Sequence, residues 1–197
     1  MTGRRRGSAP FVLLAVAALV VSGCSQERAS ERLPRTQPSA SSNSGEDSET
    51  AEKRALTSVY QLIDGRDAIR QRPGTYREAS SIGFADDKLA TEIIAESLEL
   101  ESEDRKQEGE AKLTTPPTPV TTDLNPPEKK GQAVAPFVSV RGCVDDSAVH
   151  VVDAKGRKVK GSDGRGPHPV EFHVINRSWP SSTGWRVAWT KDLKGSC

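Results

Sequence analysis

The chain has 197 residues, with 28 lysines and arginines against 27 aspartates and glutamates. Such a near-neutral balance excludes the basic patch or stripe of a nucleic-acid binder. Hydrophobic residues make up 34% and aromatic residues only 5%, so the composition predicts one modest core and a stretch of chain that stays unfolded.

Arg4, Arg5 and Arg6 form a basic lead, residues 11–21 an apolar run, and Ser22-Gly23 a pair of small residues before Cys24. A secretory signal needs this layout, with the arginines held at the inner face while the apolar stretch enters the translocon. The run falls short of the roughly 20 apolar residues of a comfortable membrane span. Val21-Ser22-Gly23-Cys24 resembles the lipobox of bacterial lipoproteins. The resemblance implies a diacylated Cys24 as the new first residue and a membrane partner outside the cytoplasm. Removing residues 1–23 takes away three of the 28 basic residues, leaving 25 against 27 acidic and a net charge of −2.

Residues 25–50 contain Leu33 as their one large apolar side chain. Too little area is available there to offset ordering entropy, so the segment 24–50 reads as a tether. A flexible coil of that length spans on the order of 28 Å. The globular domain is expected over 51–197. Leu56, Val59, Tyr60 and Ile63 recur at helical spacing and predict a first helix from about residue 50, with Thr50 as its cap and Tyr60 in the core. Gly65 or the Pro73-Gly74 pair would end it. A second helix is predicted over about 86–104, capped by Asp86 or Asp87 and burying Leu89, Ile93, Ile94 and Leu98. The charged stretch 99–112 reads as a solvated face.

Beyond residue 110 the pattern becomes extended. Residues 114–122 are proline-rich and suit an edge. Residues 133–144 read as a strand with Val138 and Val140 on one face and Phe137 and Cys143 on the other. A short strand follows over 149–152, then a glycine-rich loop over 160–167. Val170, Phe172 and Val174 alternate, as do Trp185, Val187 and Trp189, which predicts a hairpin with both tryptophans in the core. Helices followed by four or five antiparallel strands indicate an α+β domain with the helices on one sheet face.

Three cysteines are present. With Cys24 acylated, Cys143 and Cys197 remain in an oxidising compartment, where pairing is the economical reading. A bridge would also hold a terminus that otherwise frays. No CxxC occurs, so redox catalysis is not expected.

His168, Glu171 and His173 are the one candidate metal set. On a strand Glu171 and His173 face the same side, with His168 in the preceding loop. A zinc site needs three or four convergent ligands, and His150 would have to arrive from another strand, so no metal and no cofactor are expected. Asp145 and Asp146 read as a turn rather than an acid–base pair, and no catalytic residue is assigned. Trp179, beside Pro180 at the hairpin tip, is the candidate partner contact.

The segments Gly142-Cys143-Val144-Asp145-Asp146-Ser147, Val151-Val152-Asp153-Ala154-Lys155-Gly156, and Gly184-Trp185-Arg186-Val187 leading to a terminal Gly195-Ser196-Cys197, resemble actinobacterial secreted lipoproteins of unknown function over about residues 50–197. These have a cone-shaped α+β domain, nuclear transport factor 2-like or cystatin-like. The resemblance implies a Cys143–Cys197 bridge and a sheet curved around a pocket. It spans isomerases, dehydratases, polyketide cyclases and assembly proteins of conjugation machines, so fold alone cannot choose a function. The expectation is a membrane-tethered, non-enzymatic binding or assembly module. The alternatives are an isomerase- or dehydratase-type enzyme using the cone interior, or a component of an envelope or conjugation complex. A deep pocket with a buried carboxylate beside a tyrosine would favour the enzyme.

Overall fold

The computed structural model describes residues 46–197. The expected signal segment, Cys24 and the tether up to residue 45 lie outside the described residues. Two helices, α1 (Ser48–Gln71) and α2 (Asp87–Ser102), precede seven strands: β1 (Lys106–Glu108), β2 (Lys112–Leu113), β3 (Thr118–Asp123), β4 (Phe137–Asp145), β5 (His150–Val152), β6 (His168–Asn176) and β7 (Trp185–Asp192). Both helices pack on one face of an antiparallel sheet, the α+β arrangement the sequence predicts.

Helix α1 begins earlier than expected, because Asp47 rather than Thr50 caps it: the Thr50 N–H donates to Asp47 Oδ1 at 2.7 Å. A carboxylate at this position satisfies one of the orphan N–H groups of the first turn. The buried stripe is also rotated from the predicted one. Ala51, Ala55, Ser58, Val59 and Leu62 face the sheet, while Tyr60 is 44% exposed. Small residues win this face because they let the helix backbone approach the strands closely. Ser58 Oγ donates to the Trp185 carbonyl at 3.1 Å, tying α1 to β7. Gly65 does not end the helix. A Cβ there would sit 2.2 Å from the Phe84 ring, so the glycine is a packing site.

Asp86 precedes α2, but its carboxylate takes both a 2.7 Å bond from Arg177 Nε and one from Nη2 instead of capping the helix. Its main-chain N–H donates to the Val187 carbonyl at 2.8 Å, which fastens the start of α2 to β7. Ala90, Ile93, Ile94, Ser97 and Leu100 are buried, with Leu89 and Leu98 packed beside them.

The main sheet runs β2-β4-β6-β7, with β3 sharing the β2 side of β4. Proline-bearing β3 is thus at an edge, where a missing N–H is tolerated. Segment 99–112 departs from the expected solvated face: after α2 it supplies β1, which pairs with β5 in a separate two-stranded sheet and buries Gln107. Val138, Val140, Val144, Val170, Phe172, Val174, Trp185 and Val187 fill the helix side of the main sheet.

An irregularity between His173 and Val174 corrects the tryptophan expectation. His173 pairs with Trp189 and Val174 with Val187, leaving Ala188 as an extra residue on β7. The bulge reverses the alternation. Trp185 and Val187 point inward, whereas Trp189 turns to the outer face and is 41% exposed. Trp179 is half-buried against the core, its ring edge-on to Trp185 at 6.4 Å. Trp189 is therefore the exposed tryptophan, while Trp179, the candidate partner contact, is partly buried.

Cys143, on the outer face of β4, is bonded to Cys197 with their Cα atoms 5.9 Å apart. The bridge joins the segment after β7 back to β4, across 54 residues of sequence.

A charged cleft at the C-terminal half of helix α1

Along α1 the face turned to the sheet changes from apolar to charged after Leu62. Ile63, Arg66, Asp67 and Arg70, at helical spacing, form one wall of a cleft of about 130 Å³. Leu62, Val144, Val149, Val170 and Phe172 supply its apolar lining, and Asp146, Arg165, His168 and Asp192 the opposite wall.

Asp67 is 8% exposed and hydrogen-bonded through both oxygens. Oδ1 accepts from Gln107 Nε2 at 2.6 Å, and Oδ2 accepts from the Ala111 N–H at 2.7 Å. Burial pushes its carboxyl above the ordinary aspartate value, against the opposing pull of these bonds and of the Arg70 charge. Gln107 is 1% exposed. Its amide N–H is occupied, but Oε1 has no partner among the described residues. Leaving a buried acceptor unpaired costs about 1–3 kcal/mol. Gly109 makes the turn beyond β1 with φ +80°, and a Cβ there would strike the Ala148 carbonyl oxygen at 2.0 Å.

The guanidinium groups differ sharply. Arg66 Nη2 donates to both oxygens of Glu96, at 2.9 and 2.8 Å. Arg70 Nη1 lies 3.9 Å from the same carboxylate, beyond hydrogen-bond reach, and its guanidinium makes no hydrogen bond among the described residues. Burial, then the charge of Arg66, push Arg70 below the ordinary arginine value.

The opposite wall is held by its own contacts. The Asp146 N–H donates to the Arg165 carbonyl at 3.0 Å, and the Arg165 N–H donates to Asp146 Oδ1 at 2.6 Å. This pair pins the glycine-rich loop to the end of β4. Arg165 Nη2 donates to Asp192 Oδ2 at 2.9 Å and lies 2.9 Å from His168 Nε2. With His168 Nδ1 3.0 Å from the Gly166 carbonyl, the proton belongs on Nδ1 and Nε2 accepts.

The candidates read from the sequence scatter. His168 lines the cleft, whereas Glu171 and His173 face the other side of the sheet, so the three do not converge. Asp145 forms the expected turn, its Oδ1 accepting from the Ser147 N–H at 3.0 Å. Asp146 instead joins the cleft. Arg66, Asp67, Arg70, Gln107, Arg165 and Asp192 were not legible as a group. The available signal was in α1, where Asp67 and Arg70 continue the spacing of an apolar stripe with charges.

No protein-family model matches the chain, and no curated protein matches it. Among solved structures it is similar to the intermembrane space region of chloroplast protein ARC6, with a TM-score of 0.48 and 9% identity, over 73% of this chain and 97% of that one.

Proposed function

We propose that this protein is a lipid-anchored, extracytoplasmic binding module of the cone-shaped, nuclear transport factor 2-like or cystatin-like kind, with the cleft beside α1 as its binding site. The Val21-Ser22-Gly23-Cys24 junction supports the anchor, and a Cys143–Cys197 disulfide suits an oxidising compartment. The helices on one sheet face, with a cleft between α1 and the strands, support the cone variant.

The observation that carries binding over catalysis is the state of Asp67. Its raised carboxyl is what an isomerase-type site would share. Both its oxygens, however, already accept N–H bonds that hold them in place. Neither Tyr60 nor Tyr76 lines the cleft. A carboxylate so engaged is a wall of a receptor rather than a proton shuttle.

The anchor is tested by fractionation of cells expressing the full chain. Wild-type protein is expected in the membrane fraction with an acylated Cys24 by intact mass, and Cys24→Ala in the soluble fraction. Retention of the Cys24→Ala chain on membranes would overturn the anchor.

A further inference from the structure

We infer that the cleft takes a small organic carboxylate with an apolar body, its carboxylate seated on Arg70 and a hydrogen-bond donor of the ligand, or of a water it retains, meeting Gln107 Oε1. This rests on the reading of the cleft as the ligand site. Each acidic group of the cleft accepts at least one hydrogen bond. Asp67 is held by Gln107 and Ala111, Asp146 by the Arg165 main chain, and Asp192 by the Arg165 side chain. Glu96, the nearest outside carboxylate, is occupied on both oxygens by Arg66. The Arg70 guanidinium, three-quarters buried, makes no hydrogen bond among the described residues, and its ion-pair partner Glu96 stands 3.9 Å away. Burial, then the Arg66 charge, lower its proton affinity against the pull of Glu96, Asp67 and Asp146. Guanidinium geometry suits a planar carboxylate, which it can engage through two parallel N–H bonds.

The remaining lining selects the body of the ligand. Leu62, Val144, Val149, Val170 and Phe172 offer apolar surface. The space of about 130 Å³, a little smaller than the roughly 150 Å³ cavity that accommodates benzene, limits the apolar body to about one ring. Gln107 lines the same cleft, and its buried Oε1, without a hydrogen-bond partner among the described residues, is a second sign of a site short of a polar partner.

Benzoate and its neutral counterpart benzamide separate charge from shape. The full chain, labelled with ¹⁵N at arginine and glutamine and held in lipid nanodiscs, would be titrated with each. Benzoate is expected to shift the Arg70 Nε–H and Gln107 amide signals saturably, at a concentration at least tenfold below benzamide. Arg70→Gln should abolish that preference, and Arg70→Lys, which keeps the charge, should retain most of it. Equal binding of the two probes would overturn the carboxylate class while leaving the cleft a ligand site. Shifts confined to exposed arginines, or none at the cleft, would overturn the inference. The anchor is judged separately by the Cys24→Ala fractionation.

Discussion

Phe172 and His173 are neighbours on β6, yet they serve opposite faces of one sheet. Phe172 is 1% exposed, on the sheet face that α1 packs against, among the inward valines. His173 lies in a row of rings on the outer face, its centroid 4.8 Å from both Phe137 and Trp189 and its plane 11° from the indole. No helix among the described residues covers that side. The inner face is stabilised by area removed from water, the outer by stacked rings and one covalent link. The difference teaches that a two-layer domain of this size gets its core from one face only, and must fasten the other by local means.

The comparison breaks or holds at Phe172 first. Phe172→Ala should cost about 3–5 kcal/mol, the range for emptying a filled aromatic site. Urea unfolding measures this directly, and a loss below about 1 kcal/mol would mean the inner face is not the core. Next comes the outer link. Cys197→Ser opens a loop spanning 54 residues of sequence, and should cost about 2–4 kcal/mol under oxidising conditions. For a domain of this size that is roughly 4–16 °C in the thermal midpoint. An unchanged midpoint would show that the outer face is held without the bridge.

Much of this division was legible in the chain. Alternation over Val170, Phe172 and Val174, and over Val138 and Val140, identifies the inward residues of β6 and β4, because a period of two depends only on local backbone geometry. Trp189 escaped for a physical reason: one extra residue at Ala188 inverts the alternation, and nothing in the residue types near it announces a bulge. Tyr60 escaped because helix rotation is set by tertiary contact. Alanines and Ser58 approach the sheet more closely than a tyrosine could. The cleft was the least legible part. Gln107 sits in a stretch that composition marks as solvated, and becomes buried only when β1 pairs with β5 and Asp67 reaches it from α1.

The smallest expected effect sharpens the comparison through pH. Burial disfavours charge on both sides of the sheet, but the two groups are of opposite type. Asp67 has its carboxyl raised above 3.8 by burial. The folded state therefore holds its proton more tightly than the unfolded chain, and stability is lost as pH rises through the raised value. His173 is lowered from 6.5, again chiefly by burial, with Glu171 opposing. Here the unfolded chain binds the proton more tightly, so stability present above about pH 6.5 is lost as pH falls through the lowered value. Asp67→Asn removes the first dependence and His173→Gln the second. Thermal midpoints of each variant minus wild type, taken from pH 7 down to pH 4, should therefore move in opposite directions. The Asp67→Asn difference should fall on acidification, and the His173→Gln difference should rise. Curves of the same sign would mean that at least one of these side chains is not desolvated as its place in the fold requires.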